Sequence, residues 1–137
     1  MTEPTPDLVL FLNRDVFFAA PVGNAVRGRG LRMRTVPDAA RFAGVLAAQP
    51  GEVILALIDM NILTHAVDWP VIDGLIAAGL PFPVVGFGAH TDVETRRAAK
   101  GAGLTRIYAN GQFKAELDAI LARHLPALPD PKLRDPD

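Results

Sequence analysis

The run Val53-Ile54-Leu55-Ala56-Leu57-Ile58 is apolar at every position and stops at Asp59. Such a run reads as a strand buried on both faces, the kind found in parallel sheets covered by helices. Elsewhere in the chain, short β-like runs alternate with longer helical ones, the order of an α/β protein. Strands are expected over Leu8 to Leu12, Leu31 to Val36, Val53 to Ile58, Pro83 to Phe87 and Thr105 to Tyr108. Helical stretches are expected near 15–28, 37–48, 69–78, 91–102 and 113–124. Right-handed crossovers then place helices on both faces of the sheet, giving a three-layer (βα)5 sandwich. In an open parallel sheet, ligands and catalytic groups gather at the strand C-termini, so Asp59 stands where chemistry would be done.

Local signals set the boundaries. Thr91-Asp92-Val93-Glu94 has the spacing of a capping box, with Thr91 as the cap. Gly101 and Gly103 fit a helix stop. Phe113, Leu117, Ile120, Leu121 and Leu125 form one apolar stripe on the last helix. Pro21 either kinks the first helix or starts it as an N1 proline, and the sequence leaves both open. The expected organisation is an N-terminal arm over 1–6, one domain over 7–125 and a flexible, Pro- and Asp-rich tail over 126–137.

Composition narrows the function. The 137 residues suit one domain, and half of them are hydrophobic, enough for a substantial core. Fourteen Lys and Arg against fifteen Asp and Glu leave a formal charge of −1, so no global field draws the chain to nucleic acid or an anionic membrane. With no cysteine, thiol catalysis, disulfides and zinc-thiolate sites are excluded. With no serine, there is no Gly-x-Ser-x-Gly elbow for a nucleophilic triad. The N-terminus lacks the basic start and apolar core of a signal peptide, and no apolar run approaches the roughly 20 residues of a membrane helix, so a cytoplasmic protein is expected. Gly86-x-Gly88 lacks the third glycine of a dinucleotide fingerprint and follows the fourth strand rather than the first.

Asp59 closing the third strand, Pro83-Val84-Val85 in the fourth, Ala102-Gly103-Leu104 before the fifth and Phe113 opening the last helix together resemble the receiver domains of bacterial response regulators. Asp15-Val16-Phe17-Phe18-Ala19-Ala20 and Gly86-Phe87-Gly88-Ala89-His90 are similar to short, stand-alone receiver-like proteins of uncharacterised role. The resemblance covers Asp7 to Leu125 and implies a flavodoxin-like fold with sheet order 2-1-3-4-5.

It also implies a site, and that site is chemically stripped. Asp59 matches the phosphoacceptor. The acidic residues that hold Mg²⁺ after the first strand are replaced by Asn13-Arg14, with Asp15 one place late. Gly88 stands where the family has a phosphoryl-binding Thr or Ser, followed by a matching Ala89. Asn110-Gly111-Gln112 replaces the lysine region, and Lys114 lies beyond it. Phosphoryl transfer relies on stabilising charge on the transferring oxygens, so these losses together remove most catalysis. Asp59 is then a relic or structural anchor that caps its loop or pairs with Arg14. The alternative keeps it as a phosphoacceptor, with Asp15 turned inward as a substitute metal ligand.

His90 reads as a polar loop residue; a metal site or proton-transfer pair with Asp92 and His65 has no supporting spacing. The missing side chain at Gly88 could open a small anion pocket facing the Thr91 helix start. Arg27, Arg29, Arg32 and Arg34 form the densest charge cluster, read as protection of an edge strand, with a docking patch for an acidic partner or RNA as the alternative. Trp69 reads as a packing anchor.

Two function classes follow. One is a non-enzymatic signalling module that binds a protein, or a second copy of itself, through the helix-four, strand-five, helix-five surface bearing Arg96, Arg97, Lys100, Arg106, Tyr108 and Lys114. The other is a small-ligand or anion sensor using the crevice of Asn13, Arg14, Asp59, Gly88, His90 and Asn110. Neither requires a cofactor, a metal, nucleic acid or a membrane.

Overall fold

The computed structural model describes residues 5–126. The expected arm up to Pro4 and the tail from Ala127 onward lie outside the described residues. Five parallel strands form one sheet: β1 (Leu8–Leu12), β2 (Arg32–Val36), β3 (Val53–Asp59), β4 (Val84–Gly88) and β5 (Arg106–Ala109). Their order is β2-β1-β3-β4-β5, as the resemblance implies. The crossover helices are α1 (Val16–Arg27), α2 (Ala39–Ala48), α3 (Asp68–Ala77) and α4 (Val93–Ala102), followed by α5 (Asn110–Ala115) and α6 (Leu117–His124). A single 3₁₀ turn, Met60–Ile62, directly continues β3.

The central strands β1 and β3 are buried along their whole length, which explains their uninterrupted apolar sequence. Alternation sorts their side chains into two cores. Leu8, Leu10 and Leu12 join Ala56, Ile58, Phe42, Trp69 and Ile72 on the face covered by α2, α3 and α4. Val9 and Phe11 join Leu55, Leu57, Phe87, Tyr108, Phe113 and Leu121 on the face covered by α1, α5 and α6. The register slips between Leu8 and Val9: Leu8 pairs with Val53 but Val9 with Leu55. Ile54 is therefore the extra residue of a bulge, and both Ile54 and Leu55 join the second core.

Several boundaries differ from the sequence expectation. Helix α1 starts at Val16, capped by the Asp15 carboxylate, and Pro21 lies inside it rather than at its start. The cap of α4 is Asp92 and not Thr91: the Asp92 carboxylate accepts the Thr95 N–H at 3.1 Å and the Thr95 hydroxyl at 2.7 Å. Both bonds hold the Asp92 carboxyl below its ordinary value. Gly103 ends α4 with φ of 90°, the left-handed conformation glycine adopts cheaply, while Gly101 stays within the helix. The last helix is broken at Glu116, yet Phe113, Ile120, Leu121 and Leu125 are all buried and Leu117 packs against them.

Strand β2 is an edge, and its arginines are exposed there. Arg32 binds Asp7 at 2.6 Å and Glu52 at 3.0 Å, and Arg34 donates to Gln49 at 3.0 Å. The Arg32 hydrogen bond holds the Asp7 carboxyl below its usual range. Charges on an exposed edge hinder pairing with another chain.

The second core is built around aromatic rings. Phe87 and Phe113 stack with centroids 4.1 Å apart, and Phe18 lies 5.0 Å from Phe87. Phe113→Ala is expected to cost about 3–5 kcal/mol of stability, read as a lowered urea midpoint with an unchanged slope.

Candidate functional site

Strand β3 carries Asp59 to the C-terminal rim of the sheet, where it is 3% exposed. A carboxylate removed from water needs hydrogen bonds. The chain supplies them two residues later, where the 3₁₀ turn brings Asn61 back over the strand end. Asp59 Oδ1 accepts from the Asn61 backbone N–H at 3.0 Å and from Asn61 Nδ2 at 2.7 Å. Burial raises the Asp59 carboxyl above its ordinary value; the Asn61 bonds oppose the shift, the Asp15 charge adds to it, and Arg14 opposes it slightly.

Asn61 also reaches the neighbouring loops. Its Oδ1 accepts the Ala89 N–H at 3.2 Å, at the end of β4. Its amide pairs with that of Asn110 at the start of α5, Nδ2 to Asn110 Oδ1 at 2.9 Å and Asn110 Nδ2 back to Oδ1 at 3.4 Å. One exposed side chain thus ties the ends of β3, β4 and β5 together across the crevice. Met60 fills the space beneath it. A Cβ at Gly88 would lie 3.1 Å from Met60 Cε, and one at Gly86 only 2.8 Å from Met60 Sδ and 2.6 Å from a Leu104 methyl. The glycines make room for Met60, and the anion pocket expected at Gly88 is occupied by protein atoms.

Of the two roles the sequence offered Asp59, pairing with Arg14 is not the one taken. Arg14 Nε donates to Pro37 O at 3.0 Å and its Nη2 to Ile62 O at 3.1 Å. Arg14 is a strap across the loops after β2 and β3. The capping role expected of Asp59 is the one the geometry contains. Asp15 is not turned inward as a ligand; its Oδ1 accepts the Phe17 N–H at 2.9 Å to cap α1. Asn13 is buried and bonds Asp15 twice, donating to its carbonyl at 2.7 Å and accepting its N–H at 3.1 Å.

These donors do not fit a Mg²⁺ ion, which wants several free oxygens in octahedral array. Among the described residues, no three His, Asp or Glu side chains converge on one point. His90 is exposed and joins no hydrogen bond among the described residues. His65 bonds the Thr95 hydroxyl through Nε2 at 3.2 Å, so it reaches Asp92 through Thr95 without His90.

The expected partner surface is only partly assembled. Arg97, Lys100 and Arg106 are exposed and Arg96 is half-buried. Tyr108 is 1% exposed and belongs to the core. Lys114 lies 5.2 Å over the Phe18 ring, on the α1 side. Sequence reasoning missed Met60 and Asn61. The available signal was Asp59-Met60-Asn61 itself, since Asp side chains commonly accept the N–H two residues on.

Because folding raises the Asp59 pKa, the folded chain binds that proton more tightly than the unfolded chain, and stability falls as pH rises through that window. Asp59→Asn keeps an acceptor for Asn61 without the buried charge. It is expected to be at least as stable as the parent at pH 7, the difference vanishing as pH falls toward 3.8, in denaturation curves against pH.

No family model matches the chain, and no curated protein matches it. Solved structures do. The chain aligns with NtrX from Brucella abortus at 19% identity and TM-score 0.70, over 88% of this chain but only 27% of that one. It aligns with the signal receiver domain of an HD domain-containing protein from Pseudomonas fluorescens Pf-5 at 15% identity and TM-score 0.71, covering 91% and 90%. With the chemotaxis protein CheY4 of Vibrio cholerae the identity is 15% and the TM-score 0.69, covering 88% and 100%. The chain has the fold of response-regulator receiver domains.

Proposed function

We propose that this chain is a receiver-fold signalling module that binds a protein partner without being phosphorylated and without catalysing a reaction. The observation that carries the reading is the Asn61 bridge. In a phosphorylated receiver, the transferred group must reach the carboxylate and be met by donors from the loops after β4 and β5. Here the Asn61 amide already takes Asp59 Oδ1, the Ala89 N–H and Asn110. A phosphoryl group on Asp59 would find the Ala89 N–H already bonded to Asn61, with no hydroxyl at Gly88 and no lysine at Asn110 to meet it. Asp15 and Asn13 are engaged elsewhere, which leaves little to recruit a metal.

A crevice filled by Met60 and Asn61 also disfavours the ligand-sensor reading. The partner surface that suits the interaction reading is the basic stretch of α4 and β5, with Arg96, Arg97, Lys100 and Arg106, matched to an acidic protein face. A second copy of the chain is one such partner to test.

Acetyl phosphate with Mg²⁺ is expected to leave the intact mass of the protein unchanged. An Asp59-dependent phosphoryl adduct would overturn the proposal. Asn61→Ala is expected to lower stability by about 1–2 kcal/mol, because it strips the Nδ2 bond to a buried carboxylate and the bonds to Ala89 and Asn110 while the backbone N–H bond stays.

A further inference from the structure

A second concavity lies at the opposite end of the sheet from Asp59. It encloses about 530 Å³, within the usual size of small-molecule sites. Ile54 from the β3 bulge, Phe82 and Pro83 before β4, and Leu125 after α6 give it apolar walls. Arg123 and His124 form one rim.

That rim is built rather than incidental. The buried Tyr108 hydroxyl accepts from Arg123 Nη1 at 2.8 Å and lies 2.8 Å from His124 Nε2. The ring tautomer of His124 sets which of the two groups donates in that second contact. Burial and the neighbouring Arg123 and Arg106 charges hold His124 below its ordinary pKa, which favours the neutral ring. The Arg106 guanidinium lies 5.3 Å over the Tyr108 ring. Two guanidiniums thus gather around one phenol, and no ion pair among the described residues uses either of them. Asp7 and Glu52, the carboxylates next in sequence to the groove, both engage Arg32. The C-terminal dipole of α6 offsets only about half a charge, so the rim stays positive.

We infer that this groove binds a small monocarboxylate with an aliphatic or aryl body. The body lies on Phe82, Pro83, Ile54 and Leu125, and the carboxylate is held by Arg123 with His124 beside it. Charge complementarity selects an acid over a neutral molecule, and an apolar body is what the walls reward.

The test is a titration of the isotope-labelled full chain with 4-phenylbutyrate, followed by NMR, with 4-phenylbutanol as the neutral control. Saturable shifts are expected at Ile54, Phe82 and Leu125, with the alcohol binding roughly tenfold or more weakly. Bound acid is also expected to raise the His124 ring pKa, because a nearby negative charge favours imidazolium. Arg123→Gln, on an exposed side chain, should abolish the preference for acid, and Phe82→Ala should weaken both ligands. If Phe82→Ala fails to fold, the Arg123→Gln comparison decides alone. No saturable shift at millimolar acid, equal binding of acid and alcohol, or shifts confined to the Asp59 crevice would each overturn the inference. None of these outcomes bears on whether Asp59 is phosphorylated.

Discussion

A carboxylate delivered into the interior by a fully buried strand has to be hydrogen bonded, and that demand shapes the whole C-terminal rim of this sheet. Strand β3 has neighbours on both edges and a helical layer on both faces, so Asp59 at its end is desolvated. The 3₁₀ turn that follows exists to bring Asn61 back onto that carboxylate. Once there, the Asn61 amide still has a lone pair and a proton to satisfy, and it meets them with Ala89 and Asn110. Met60, displaced toward the sheet by the same turn, fills the volume that Gly86 and Gly88 leave open.

This arrangement changes what the fold can do. The open crevice at the strand C-termini of an α/β sheet is ordinarily a binding site. Here a side chain of the protein itself spans it, and the polar groups around it are turned to local work. Asp15 caps α1, Asn13 holds the Asp15 backbone, and Arg14 ties two loops through their carbonyls. The loops of the rim are tied to one another by hydrogen bonds within the chain. The proposed binding surfaces accordingly lie outside the crevice, on the basic stretch of α4 and β5 and in the groove beneath β3 and β4.

Much of the fold was legible because it rests on hydrophobic pattern. The apolar runs of β1 and β3, the helical stripe ending at Leu125 and the glycine at 103 each announce themselves locally. The errors lie where a residue's partner is distant in sequence. Thr91 and Asp92 are both good caps, and only the backbone path decides that Asp92 is used. Arg14 was one of two expected partners for Asp59 because opposite charges attract, but the carbonyls of Pro37 and Ile62 were better placed for its planar guanidinium. Tyr108 was read as part of the helix-four, strand-five, helix-five surface, yet it is buried. Its burial depends on Arg123 and His124, which satisfy its hydroxyl from α6. The Asn61 bridge depends on three loops converging, which a linear reading does not reveal.

The central claim is that Asn61 already engages the Ala89 N–H and Asn110, the loop groups that a phosphoryl group on Asp59 would call on. The most direct measurement is the amide NMR spectrum of the full chain on addition of Mg²⁺ and then beryllofluoride, which mimics a phosphoryl group on an aspartate. The bridge predicts a spectrum unchanged at millimolar additions, with the Asn61 side-chain amide and the Ala89 amide in place. Shifts at Asp59, Ala89 and Asn110 that are absent in Asp59→Ala would show that the bridge opens to an acyl-phosphate mimic, and would contradict the account.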